Sequence, residues 1–307
     1  MAKAKEGALQ LAPTRTGRKD SAVRKHRTLW QDAARRFLRN RLAVLGLAIV
    51  LFFLFLAIFA DVLAPYPYDE ANFLKVRLFP MEDPAHILGT DDVGRDYLSR
   101  LIYGARTSMT VGIVIQMIAL SIGIPLGGIA GYLGGIYDFI VTRLVEVMTA
   151  FPGLLFAILI VSTFGGGFWM VILALSITSW VGMSRLVRGQ VLSIREKEYI
   201  EAARSLGARK RDIILKHIIP NILSPILIAV SFGIPGAMFG EAGLSFLGIG
   251  INDPIASWGK MVGISNAYVK VYWHLALFPT LAIALSMLGF SFVGDGLRDA
   301  LDPKLIE

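Results

Sequence analysis

Residues 198–220 read Glu198-Tyr-Ile-Glu-Ala-Ala-Arg-Ser-Leu-Gly-Ala-Arg-Lys-Arg-Asp-Ile-Ile-Leu-Lys-His-Ile-Ile-Pro220, a charged island between long apolar runs. Tyr199, Ile200, Ala203 and Leu206 fall on one face of a helix. Glu201, Arg204 and Ser205 project from another, where Glu201 can meet either neighbour at helical spacing. Gly207 stands where that helix should stop, because only glycine takes the left-handed C-terminal position without a steric penalty. Ile213, Ile214 and Ile218 form a second apolar face, and Pro220 is expected to punctuate its end. Two short helices held between apolar runs suggest a surface that docks something in the water.

The runs on either side set the class. Of 307 residues, 55% are hydrophobic and only 18% charged, and the mean hydropathy is +0.61; such values suit a polytopic membrane protein. Leu42–Ala60 carries no charge over nineteen residues, enough for one span. Thr107–Tyr137 is uncharged for thirty-one, and Gly127, Gly128, Gly131, Gly134 and Gly135 crowd its end, where close packing and a turn both call for small residues. A third span is expected to run on from Asp138, Arg143 and Glu146 to about Thr163, and a fourth from the Gly165–Gly167 turn to about Ser184. The fifth covers 221–239, interrupted by Pro225 and Pro235, and the sixth 275–294. Residues 65–106 and 240–274 form two polar loops, the second with Trp258, Tyr268, Tyr272 and Trp273 expected at the headgroup level.

Charge settles the orientation. Residues 1–41 hold twelve Lys/Arg and three acids. The bland reading of that excess, cytoplasmic retention beside a span, outweighs nucleic-acid binding. The tail and the run after it are both too long for a simple cleaved signal peptide. Leu29–Arg41 can form a basic amphipathic helix on the membrane surface, with Leu29, Ala33 and Phe37 facing lipid and Trp30 able to join them. With six spans both termini share a side, and that side carries 24 of the 31 Lys/Arg. The island is therefore expected in the cytoplasm.

Several chemistries are excluded. There is no Cys, and His26, His86, His217 and His274 lack ligand spacing, so no metal site is expected. No G-x-x-x-x-G-K-[ST] phosphate loop occurs, nor H-E-x-x-H, nor a Ser/His/Asp arrangement. No catalytic residue is expected. The central thirds of the spans lack Asp, Glu, Lys and Arg, which argues against an ion-coupled transporter working alone. A gated pathway driven from outside the chain is what remains.

With these residues in view, Glu201-Ala202-Ala203, three residues, Gly207, then Ile218-Ile219-Pro220 resembles the EAA signature of ABC importer permease subunits. Leu88-Gly-Thr-Asp-Asp-Val-Gly-Arg-Asp-Tyr-Leu-Ser-Arg100, Gly104–Ser108, Glu241–Gly250 and Gly294–Lys304 are similar to the dipeptide/oligopeptide branch, and most to its second, C-type, subunit. The resemblance covers nearly all of the chain from Arg36 onward. It implies an all-α integral membrane fold of six helices, the type I importer permease, with one family-specific first span and a five-helix core. The implied divisions are a basic tail and surface helix at 1–41, first span and external loop at 42–106, core at 107–297 with a coupling helix at about 198–212, and a cytoplasmic tail at 298–307. It further implies a homologous permease partner, two ATP-binding subunits that hold ATP and Mg, and an extracytoplasmic substrate-binding protein. This chain itself would bind no cofactor. The location implied is a bacterial or archaeal plasma (inner) membrane. The cargo implied is a dipeptide or oligopeptide; the same architecture serves nickel chelates, glutathione and oligosaccharides.

By the resemblance, Glu201, Ala202, Ala203, Arg204, Ser205, Gly207 and Arg209 form the ATPase-docking surface. Asp91, Gly94, Arg95 and Asp96 can contact the binding protein, or can cap and orient a helix starting near Tyr97. Glu241 is expected to end the fifth span just outside the membrane, facing substrate or binding protein or making a conformational hydrogen bond. Gln116, Ser121, Ser224 and Ser231 can line the pathway or serve helix packing. Arg209, Lys210 and Arg211 can be simple interface snorkellers.

Overall fold

In the computed structural model, residues 29–302 are described; the expectations for residues 1–28 and 303–307 lie outside them. Twelve α-helices account for most of the described chain: α1 Leu29–Arg39, α2 Arg41–Ile58, α3 Ala60–Leu63, α4 Tyr97–Leu133, α5 Gly135–Ala150, α6 Gly153–Phe164, α7 Phe168–Arg195, α8 Glu198–Ser205, α9 Lys210–Ile213, α10 Ile219–Phe246, α11 Trp258–Ser265 and α12 Trp273–Leu301. Among the described residues the only β pairing is a single bridge between Thr90 and Asp96. Five helices, α2, α4, α7, α12 and α10 with its lead-in from Lys210, are long and apolar enough to cross a membrane. The third expected span is not one rod. Helices α5 and α6 meet at a bend of 75°, where Pro152 caps α6 and favours extended backbone at Phe151 before it.

Packing between the long helices follows the small residues. In lipid, apolar side chains gain little by meeting each other, so close backbone approach carries more of the association. Gly123, Gly127 and Gly131 recur one turn apart on α4 and face α7; a Cβ at Gly127 would stand 2.3 Å from the Ser184 carbonyl oxygen. Helices α2 and α12 cross in the same way, Gly46 over Gly289. One apolar core gathers α2, α4, α10, α11 and α12 around Phe53, Met109, Met238 and Trp258. A second joins α4, α6 and α7 through Val111, Ile115, Val161 and Val171.

Tertiary contacts move several boundaries. The first polar loop ends at Asp96 rather than 106, because Asp96 caps α4 by accepting from the Ser99 N–H at 2.8 Å. The fourth span runs past Ser184 to Arg195, so the charged stretch before Glu198 is its helical stem. The fifth span continues to Phe246, which places Glu241 inside α10 instead of beyond its end. Pro220 does not stop a helix either. A π turn, Ile214–Ile218, carries the chain from α9 into α10, and Pro220 falls in the first turn of α10, where its missing N–H is tolerated. Ala33 of α1 is buried and Phe37 reaches Gly296 of α12, so that stripe meets protein where lipid was expected. Trp258 is fully buried and donates to the Leu101 carbonyl at 2.9 Å, whereas Trp273 stays exposed.

Candidate functional site

The 198–213 segment projects from the lower end of α7. Ile200, with no exposed surface, plugs α8 into a cluster of Val187, Val191, Ile194, Ile213 and Ile218. That single anchor fixes the roll of α8, and Glu201, Ala202, Arg204 and Ser205 are left open to solvent with Ala203 half-buried. Glu198 and Glu201 lie in the first turn and Arg204 in the last, each on the favoured side of the helix dipole. The expected pairing of Glu201 with its neighbours is absent. Ser205 donates to the Glu201 backbone carbonyl at 3.1 Å, and the carboxylate itself makes no ion pair among the described residues.

Gly207 closes the helix in the way its position called for. Its φ is +79°. Its N–H donates to the Arg204 carbonyl at 2.9 Å, and the Ala208 N–H reaches back to the Ala203 carbonyl at 3.0 Å. These are the two bonds of a Schellman motif. Leu206 shares a helical face with Ile200 by spacing, but the turn throws it outward to 88% exposure, and Tyr199 is 46% exposed. The surface therefore presents two apolar side chains beside an unpaired carboxylate and Arg204.

Behind α8 the support is polar and stiff. The Arg195 guanidinium donates to the carbonyls of Gly131 and Tyr132, capping the end of α4, at 3.2 and 3.1 Å. Arg188 forks onto Asp138 of α5, and Arg185 donates to Thr149 at 2.6 Å. Three arginines on one face of α7 thus tie it to α4 and α5. Tyr132, Arg195, Glu196, Glu201 and Arg204 line a polar cleft beside α8.

At the opposite end of the bundle the other candidates are drawn into one buried network. Arg95 bonds Asp91 at 2.6 Å and Asp253 at 3.2 Å. Arg100, only 1% exposed, meets Asp91 at 3.3 Å and donates to the Tyr68 carbonyl. Asp96 takes His86 at 3.0 Å besides its cap. Gly94 has φ +82° and packs over Asn72, where a Cβ would strike the Asn72 carbonyl oxygen at 1.8 Å. Burial by itself would lift the Asp253 carboxyl, but hydrogen bonds from Lys260 and Arg95 hold it below the ordinary carboxylate value. Lys260 is pushed down, chiefly by burial. Asp91, Arg95 and Asp96 are each under 10% exposed, so their side chains bind loop to loop. Sequence alone did not bring in Arg100, Asp253 or Lys260; Asp253 and Lys260 lie more than 150 residues from Arg95, and no local pattern marks such a pair.

Glu241 is buried in α10 and has only hydroxyl partners: Ser245 donates to it at 2.7 Å, Ser108 of α4 at 3.4 Å, and Ser257 is a third. Of the pathway candidates, Gln116 lies across Gly233 where α4 and α10 cross. Ser231 is buried and donates to the Leu227 carbonyl at 3.0 Å. Ser224 is half-buried. Ser121 is exposed and donates to the Met117 carbonyl at 2.8 Å. The structure does not gather these four into one cavity. No group of His, Asp and Glu suited to a metal occurs among the described residues.

A multi-span helical bundle with a protruding EAA helix is the form of an importer permease. The chain belongs to the family described as binding-protein-dependent transport system inner membrane component, whose model matches residues 123–307. Residues 28–80 match the N-terminal TM domain of oligopeptide transport permease C. Among curated relatives, the oligopeptide transport system permease protein OppC of Haemophilus influenzae is 41% identical over 91% of this chain and 89% of its own length. The dipeptide transport system permease protein DppC of Bacillus subtilis is 43% identical over 93% and 89%. The glutathione transport system permease protein GsiD of Pectobacterium atrosepticum is 42% identical over 91% and 92%. Among solved structures, an inward facing form of the MetNI methionine ABC transporter superposes with TM-score 0.56 at 18% identity, covering 66% of this chain and 97% of that one. An amino acid ABC transporter with histidines gives 0.52 at 20%, covering 65% and 92%. The fold is thus that of type I ABC importer permeases, and the chain is a multi-pass membrane protein.

Proposed function

We propose that this chain is the non-catalytic, membrane-spanning subunit of an ATP-driven importer of dipeptides or oligopeptides. It pairs with a homologous permease to form the pathway. Two ATP-binding subunits holding ATP and Mg dock on its cytoplasmic face, and an extracytoplasmic binding protein delivers cargo. Both termini and α8 lie in the cytoplasm of a plasma (inner) membrane, in keeping with the Lys/Arg bias. The observation that carries the reading is the exposed 201–207 surface. Its carboxylate and Leu206 find no partner within the described chain, while Ile200 and Gly207 hold it in one orientation. Such a face suits helix-in-groove docking onto another protein.

Closure of the ATPase pair would push on α8. The Ile200 plug and the arginine ties of α7 would pass that displacement to α4 and α5 without a hinge between them. The cargo rests on relatives named for oligopeptide and dipeptide transport; a relative named for glutathione supports a small peptide-like solute as the second reading.

The test is uptake into vesicles holding the assembled transporter. ATP-dependent accumulation of peptide is expected, with Glu201→Arg and Gly207→Pro abolishing it and releasing the ATPase subunits. Ion-driven uptake by this chain alone would overturn the proposal.

A further inference from the structure

An apolar groove of 380 Å³ opens between α4 and the 214–222 stretch, close to α8. Its walls are Ile124, Gly128 and Tyr132 of α4, Val191 of α7, and Ile214 and Ile218 of the π turn. Pro125 also lines it, and a Cβ built on Gly128 would meet nothing within 4 Å, so α4 leaves real space there. Lys210 stands in the lining as its one cation. Arg209 and Arg211 flank it in sequence, all three are exposed, and none of the three has an ion-pair partner among the described residues. Asp212, the nearest acid in sequence, is engaged by Lys216 at 3.3 Å.

We propose that this groove is a binding site for one anionic phospholipid of the cytoplasmic leaflet. An acyl chain fills the Ile124–Tyr132 wall, and the phosphate rests against Lys210. The charge pattern selects this occupant. A neutral helix of a partner permease would gain nothing from an unpaired cation in the lining of an otherwise apolar slot. An acidic headgroup above a hydrocarbon tail matches both parts, and basic residues next to a span attract such lipids. The site also binds the docking segment to the membrane, since Lys210 begins the helix that follows the Gly207 turn. The leaflet rests on the orientation proposed above; the groove and its charges do not.

The experiment uses the assembled transporter in vesicles doped with phosphatidylglycerol or phosphatidylcholine bearing a photoreactive acyl chain, with labelled peptides mapped by mass spectrometry. Labelling of 124–133 and 214–222 is expected from phosphatidylglycerol, falling about fivefold in Lys210→Ala, as loss of one basic residue near the surface implies. Gly128→Phe, which fills the groove, is expected to abolish labelling from either lipid. In Glu201→Arg, labelling is expected to persist after the ATPase subunits are released, which separates this proposal from the ATPase-docking one. Equal labelling by both lipids in wild type and Lys210→Ala would overturn it. So would efficient cross-linking of Gly128→Cys to the partner permease, which would put a protein helix in the groove.

Discussion

Adjacent glycines on α4 should respond to the same substitution with opposite signs. Gly127 faces α7, and a Cβ there would lie 2.3 Å from the Ser184 carbonyl oxygen and 3.0 Å from the Arg188 nitrogen. Both are backbone atoms, which cannot rotate away. The nearer one is more than 1 Å inside ordinary contact, so α7 as a whole must shift. Overpacking of this kind costs about 1–3 kcal/mol. The better helix propensity of alanine returns about 1 kcal/mol. Gly127→Ala is therefore expected to destabilise by up to about 2 kcal/mol. At Gly128 the added methyl meets nothing, and Gly128→Ala should stabilise by up to about 1 kcal/mol. At about 2–4 °C per kcal/mol, the two variants should melt on the order of 5 °C apart, on either side of wild type. Thermal unfolding of the purified chain in one detergent measures this. A Gly127→Ala protein melting at or above wild type would refute the close α4–α7 crossing, and with it the route proposed for displacement from α8 to α4.

Other expectations follow from single contacts. Ile200→Ala removes the plug of α8 and should cost about 2–4 kcal/mol locally; the check is hydrogen exchange, in which amides of 198–206 should lose protection while those of α12 do not. Asp96→Ala deletes the cap of α4 and should lower stability by about 0.5–2 kcal/mol, with Asp96→Asn recovering most of it in the same melt. The folded Asp253 carboxyl lies below its unfolded value, so its contribution is present above about pH 4 and is lost as pH falls through the folded value. Limited proteolysis of residues 247–257 should accordingly accelerate on acidification below that point, and Lys260→Met should move the onset to higher pH.

Much of the site was legible because its signals are local. Helical spacing put Ile200 on one face with Ala203, and Gly207 had to take a left-handed turn that other residues resist. Leu206 misled the pattern: it shares the apolar face by count, but the Schellman turn begins there and rotates it into solvent. Glu241 misled in the opposite way. A carboxylate after a long apolar run reads as the water boundary, yet Ser108 and Ser245 receive it inside the bundle, and those partners lie 133 and 4 residues away. Asp91, Arg95 and Asp96 left two readings open, contact with a binding protein or capping of a helix near Tyr97; Asp96 does cap α4, and folding adds Asp253 and Lys260 from more than 150 residues away.

Length and apolarity of the runs determined that the chain crosses a membrane, the Lys/Arg bias determined the orientation to expect, and the Glu201–Gly207 spacing determined where an exposed helix closed by a glycine turn would stand. These are properties of neighbouring residues, and the physics that reads them, hydrophobic thickness, helical period and glycine φ, acts over a few turns. Tertiary structure alone decided that the third span bends at Pro152 and that the far loops lock into an ion network. It also decided which glycine of the Gly127-Gly128 pair is pressed against α7 and which opens a groove. Each of these depends on which helix face meets which neighbour across the bundle, and a difference of 100° between successive residues is enough to turn one glycine into a contact and the next into a vacancy.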